Sequence, residues 1–164
     1  MDDPSDRSHY LLRAFVDHDA AAISGWAADP AEVRAWCSLD TAPVPVDVVA
    51  AWSRPADVEG WVLVDGGGPV GYGEVWVDHV AGEVELGHVI VDPHYRGQGI
   101  GVLLVRELVD RARRYFHTVA LRVRPENAAA RRCYERAGFT RADPEVERAW
   151  NEGQPHDYVW MVAR

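Results

Sequence analysis

The chain has no lysine; all 17 of its basic residues are arginine. That absence excludes a P-loop, whose glycine-rich turn needs a lysine to reach the phosphates. Cysteine is scarce too. Cys37 and Cys133 lie far apart, without metal-ligand spacing, so neither a disulfide framework nor a structural zinc site is expected. Reduced thiols in a cytoplasmic protein are the expectation. No apolar run approaches 18 residues, so no membrane span is expected. The opening stretch MDDPSDRSHY is acidic and polar, unlike a secretory signal. The net charge of −9 argues against nucleic acid as a partner. Repeats, linkers and low-complexity segments are also missing.

What remains is a chain of 164 residues, read as one domain over 1–164. Its charge is uneven. Residues 1–95 hold 17 carboxylates and 4 arginines, whereas residues 96–164 hold 9 carboxylates and 13 arginines. The imbalance points to an anionic ligand held by the second half and a cationic one facing the first.

Hydrophobic periodicity orders the elements. HYLLRAFV (9–16) reads as a strand. Residues 17–39 read as two short helices, with Asp19 capping the first and Asp29–Pro30 starting the second. A third helix begins near Asp47. Segments 60–68, 69–78 and 81–92 are short strands separated by tight turns, an antiparallel meander. Then come an amphipathic helix over 101–116, a strand over 118–125, a helix over 127–139 closed by Gly138, and a last strand over 156–163. The class is α+β.

Between the third meander strand and the long helix runs VIVDPHYRGQGIG, Val89 to Gly101, with glycines at alternate positions near its end. A dinucleotide fingerprint fails, because Val102 stands where its third glycine belongs. The remaining reading is Arg96-x-x-Gly99-x-Gly101, in which successive backbone amides and a helix N-terminus curl around a pyrophosphate.

VDPHYRGQGIGVLLVREL resembles the acetyl-CoA-binding motif of the GNAT superfamily, the acyl-CoA-dependent N-acyltransferases. RPENAAARRCYERAGF (124–139) is similar to that family's next motif, and the two blocks stand in the family's order and spacing. The resemblance covers residues 83–139 well. It implies the GNAT fold: a mostly antiparallel central sheet, flanked by helices, in which two strands splay and the cofactor's pantetheine arm lies in the gap. Here those strands are 83–91 and 118–124. The resemblance gives acetyl-CoA as co-substrate. Val89, Ile90 and Val91 pair with the arm; the amides of Arg96, Gly97, Gln98, Gly99, Ile100 and Gly101 hold the pyrophosphate, with the Arg96 side chain adding charge; Asn127 bonds the arm. Tyr134, seven residues after Asn127, stands where the family places a tyrosine beside the cofactor sulfur, as general acid.

Acetyl transfer to an amine needs a neutral nucleophile, a stabilised oxyanion and a protonated leaving thiolate. A primary amine with a pKa of about 10.4 is almost wholly charged near neutrality, so a proton acceptor helps. Glu85, eleven residues ahead of Arg96, is the expected base, since some family members place a glutamate at that offset; its other role is counter-ion to the acceptor. His88 is the rival by its pKa, but strict alternation puts it on the opposite face from Glu85. Glu74 is a third candidate and, with Trp76, an expected acceptor-binding residue. The backbone amide of Val89 is the expected oxyanion donor. Cys133 as a covalent carrier is disfavoured, since its helix position points about 100° away from that of Tyr134.

The expected function is therefore transfer of acetyl from acetyl-CoA to a small cationic metabolite, an antibiotic or a peptide by direct attack in a ternary complex. A protein N-terminal acetyltransferase is a narrower alternative, and a non-catalytic acyl-CoA-binding sensor or scaffold the rival class. Seven tryptophans and the acidic first half suit a cationic acceptor. A metal is not expected, and the oligomeric state is open, a homodimer included.

Overall fold

The computed structural model describes residues 9–164, so most of the acidic opening stretch lies outside the described residues. Seven strands form one sheet in the order β1-β2-β3-β4-β5-β7-β6. They are β1 (Leu11–Ala14), β2 (Val58–Asp65), β3 (Gly68–Asp78), β4 (Glu83–Val91), β5 (Val119–Val123), β6 (Thr140–Arg141) and β7 (Val159–Ala163). All neighbours are antiparallel except β4 and β5. That exception follows from the helix between them, since parallel strands need a crossover.

The meander turns are closed by side chains. Asp65 accepts from the amides of Gly67 and Gly68, and Asp78 from those of Val80 and Ala81. One sheet face is covered by α4 (Ile100–Ala112), whose Leu104, Val105 and Leu108 sit among Val75, Leu86 and Leu121. α5 (Ala128–Ala137) packs beside it, and Gly101 allows the approach: a β-carbon there would lie 3.0 Å from Cys133 Sγ. The other face, over β2 to β4, is covered by α1 (Ala20–Ser24), α2 (Pro30–Cys37) and α3 (Val46–Ala51), which enclose Val62, Tyr72 and Ile90. Toward β5 and β7 that face is left to Trp160, Trp150 and Tyr158.

Two expectations need correction. Asp19 stands at the N-cap of α1, but its side chain bonds nothing in that helix; buried at 3% exposure, it accepts two bonds of 2.7 Å from the Arg13 guanidinium and pins the amide of Val16. The stretch between Gly138 and the last strand is not plain loop. It holds β6 and α6 (Pro144–Asn151). α6 opens on Asp143–Pro144, the same signal that starts α2 at Asp29–Pro30, but has no fully buried residue to mark it as a core helix.

No helix among the described residues is long and apolar enough to cross a membrane.

Candidate active site

β4 and β5 pair only at Val84, Glu85 and Leu86 against Val119, Ala120 and Leu121. Beyond Leu86 they separate, and a cleft of about 1030 Å³ opens between them. It is bounded by Trp36 of α2, the glycine loop ahead of α4, and Asn127, Cys133 and Tyr134 of α5. The ladder bond from Asp92 N to Val70 O sets the alternation along β4. Ile90 therefore directs its backbone to Tyr72 on β3, and Val89 and Val91 turn theirs to the gap. All three residues line the cleft, with the backbone of Val89 and Val91 on the gap side, and the Val91 carbonyl already accepts from Arg96 Nε at 3.1 Å.

The glycine loop is left-handed at Gly97 (φ +74°) and Gly99 (φ +82°), a region costly for other residues. Gly99 is the N-cap of α4, whose first amides have no partner within the helix. The loop side chains face elsewhere. Ile100 is in the core at 4% exposure, and Gln98 donates to the His94 carbonyl. Arg96 corrects the sequence reading. Its guanidinium donates to Glu32 Oε1 at 3.0 Å and to the Trp26 carbonyl at 2.8 Å, and its amide to the Pro93 carbonyl. It fastens the loop to the segment around α2 and does not hang free over a pyrophosphate. Arg96 still borders the cleft, and Arg122, Arg124, Arg132 and Arg136 add positive charge to its wall. Asn127 is the N-cap of α5, its Oδ1 accepting from Ala130 N at 3.2 Å.

Tyr134 lines the cleft and packs beside Phe139. Burial pushes its phenol well above the ordinary value, so it stays protonated through neutral pH. Burial also raises the Cys133 thiol, which keeps it from being a thiolate nucleophile.

Glu74 is not available to an acceptor. It is 1% exposed; Tyr72 Oη donates to Oε1, Trp76 Nε1 donates to Oε2 at 2.6 Å, and His88 Nδ1 lies 3.1 Å from Oε2. Tyr72, Glu74 and Trp76 share one face by alternation, and the first and last hold the middle carboxylate between them.

His88 is also placed differently from the alternation. The β3–β4 register slips between Tyr72/Ile90 and Glu74/Gly87, and His88 occupies the bulge at φ +48°. One extra residue returns His88 to the face carrying Glu85. Gly87 makes this fit possible, since a β-carbon there would sit 2.2 Å from the Trp76 ring.

Glu85 lies across from Trp76 in the register and lines the cleft. Its Oε1 is 2.9 Å from Arg122 Nε, yet the N–H is not aligned on it, so the buried oxygen has a charge partner without a hydrogen bond. Burial pushes its carboxyl up to about 7; Arg122 opposes this and Glu83 reinforces it. A carboxyl raised on folding stabilises the fold below its unfolded pKa and loses that contribution as pH climbs through the folded value. The stability of the chain relative to a Glu85→Gln variant is therefore expected to fall by up to ~3 kcal/mol between about pH 4.5 and just above pH 7, read as urea midpoints. Parallel midpoints across that range would contradict the raised carboxyl.

Arg122 lies over Trp76, Tyr158 and Trp160, 5.3 to 5.7 Å from their ring centres. Beyond it a second cavity, of about 510 Å³, shares Trp76 and Glu85 with the cleft. It is lined further by Asp57, Asp78, Glu83, Trp150 and Trp160. Of the remaining three tryptophans, Trp26 is core, Trp52 packs edge-on against Trp36 and Trp61 lies under Arg111.

The family model described as "Acetyltransferase (GNAT) family" matches residues 26–139. N-alpha-acetyltransferase RimI of Mycobacterium tuberculosis is 48% identical over 59 residues, 36% of each chain. Aminoglycoside N(6')-acetyltransferase type 1 of Klebsiella pneumoniae is 26% identical over 147 residues, 79% of this chain and 73% of that one. The structure of spermidine N-acetyltransferase from Vibrio cholerae with CoA and spermine superposes with a TM-score of 0.72 at 20% identity, over 95% of both chains. This chain spans less than half the length of several curated relatives that it matches.

Proposed function

The chain belongs to the GNAT acetyltransferase family, and from that premise we propose that it is an N-acetyltransferase, moving acetyl from acetyl-CoA to the amine of a small cationic molecule or peptide. The observation that carries the reading is the gap between β4 and β5, running from the glycine loop at one end to the strand junction at the other, with Tyr134 on its wall. A pantetheine arm laid in that gap meets the backbone of Val89 and Val91 as a strand would, and the amides of Gly97 to Gly101 meet the pyrophosphate. Its thioester then lies toward the junction. There the amine attacks the carbonyl, the Val89 amide faces the oxyanion, and Tyr134 gives its proton to the departing thiolate.

Acceptor charge is read from the second cavity. Asp57, Asp78, Glu83 and Glu85 border it alongside three tryptophans, a setting suited to an ammonium group. Glu85 is its innermost carboxyl. At about 7 it holds an ammonium as a counter-ion and also accepts a proton near neutrality. The relatives named above act, by their names, on alpha-amines, aminoglycosides and spermidine. A single sheet supports one domain over 1–164, and two free thiols support a cytoplasmic setting.

The test is thiol release from acetyl-CoA with kanamycin, spermine and an alanine-initiated peptide as acceptors. Release that depends on an acceptor is expected. Tight acetyl-CoA binding with no release on a broad amine panel would favour the sensor or scaffold.

A further inference from the structure

We propose that His88, held by Glu74, is the base that takes the amine's proton. This rests on the acetyl-transfer reading above. A carboxylate only accepts hydrogen bonds, and both Glu74 oxygens already receive donors from Tyr72 and Trp76. His88 Nδ1, at 3.1 Å, must therefore bring the proton to Glu74 Oε2. With the proton on Nδ1, the lone pair is on Nε2. The ring is also fixed from outside. Trp52 lies against it at 4.1 Å between centres, Trp76 presents an edge at 5.2 Å, and Trp36 Nε1 grips the His88 carbonyl at 2.8 Å.

The position suits the task. His88 lies two residues beyond Leu86, where the last β4–β5 pair ends. That is the junction end of the gap, opposite the glycine loop, where the thioester comes to lie. Its side chain keeps 17% exposure and borders the cleft. In the step, the amine nitrogen bonds to the acetyl carbon and its proton passes to His88 Nε2. The carbon–sulfur bond breaks, and the thiolate takes the Tyr134 proton. The imidazolium so formed faces the buried Glu74 charge. Glu85 serves less well as base, because it must give up the permanently charged Arg122 to be protonated.

The charged and titratable groups around the imidazole are Glu74 and Tyr72 from β3, Glu85 from its own strand, Arg122 from β5 beyond Trp76, and Cys37 of α2 on the cleft wall. α3 presents Trp52.

His88→Asn is the informative variant, because asparagine tolerates the positive φ of the bulge. With the acceptor that the unmodified chain uses among kanamycin, spermine and the alanine-initiated peptide, kcat/KM is expected to fall through one inflection as pH is lowered. His88→Asn is expected to lose about 100-fold or more and the inflection with it, with acetyl-CoA affinity unchanged. Glu74→Gln, acting only through the ring, is expected to move the inflection to lower pH. Nitrogen-15 spectra of the full chain at about pH 8 are expected to show His88 protonated at Nδ1. An unaltered pH profile in His88→Asn, or a proton on Nε2, overturns the assignment while acetyl transfer stands. If the unmodified chain transfers acetyl to none of these amines or a wider panel, the function itself falls, and His88's role with it.

Discussion

Gly99→Trp is expected to weaken acetyl-CoA binding by at least about 100-fold while leaving the fold intact. Gly99 lies at φ +82°, ψ 5°, so any side chain costs about 1–2 kcal/mol there before contacts are counted. It borders the cleft at the start of α4, where the free helix amides are. An indole at this point fills the space a pyrophosphate needs, and the several amide bonds are lost together rather than one by one. The hydrophobic side of α4 begins at Ile100 and faces the sheet, so the core is not involved. Calorimetric titration with acetyl-CoA and a circular dichroism spectrum separate the two effects. Native-like affinity in a folded variant would remove the loop from the cofactor site.

Tyr134→Phe is expected to lower kcat by roughly 100-fold, with acetyl-CoA affinity changed less than about threefold. The two side chains differ by one hydroxyl, and the ring contact with Phe139 survives. What disappears is the proton for the thiolate. A free thiol has a pKa near 8.5, so an unprotonated leaving group is tolerable but slow to part near neutrality. Because burial holds the phenol above its ordinary value, deprotonation of Tyr134 is not expected to shape the rate around pH 7 to 8. Stopped-flow release of thiol checks the turnover. Unchanged kcat would leave Tyr134 a packing residue.

The features that could be read from the chain were those with local causes. Alternation and the tight turns between them marked β2, β3 and β4. Glycines at 97 and 99 marked the left-handed loop, and Asn127 and Gly138 bracketed α5. The misplacements came from causes that act across the fold. Arg96 binds partners 64 and 70 residues away, which no motif can signal. His88 was assigned to the wrong face because period-2 counting assumes an unbroken pleat. A cue existed in Gly87, since a glycine inside a strand often marks a bulge or a close approach. Glu74 was taken for a base or an acceptor-binding carboxylate, although the Tyr-x-Glu-x-Trp spacing already put two donors on its face. α6 was missed although Val146, Ala149 and Trp150 stand at helical spacing and Asp143–Pro144 repeats the start that identified α2; the stripe is only two turns long and none of its residues is fully buried.

The tether at Arg96 has a consequence for how the two substrates meet. Glu32, its partner, also receives the amide of Ala28, and α2 carries Trp36, which holds the His88 carbonyl. The glycine-loop end and the strand-junction end of the cleft are thus cross-braced through α2, independently of the strand that joins them. A ligand that tightens the loop stiffens the frame around the imidazole. By reciprocity, an amine that steadies the imidazole tightens the grip on the cofactor by the same factor. Saturating acetyl-CoA is therefore expected to lower the amine's Kd, and the amine that of acetyl-CoA, by one common factor.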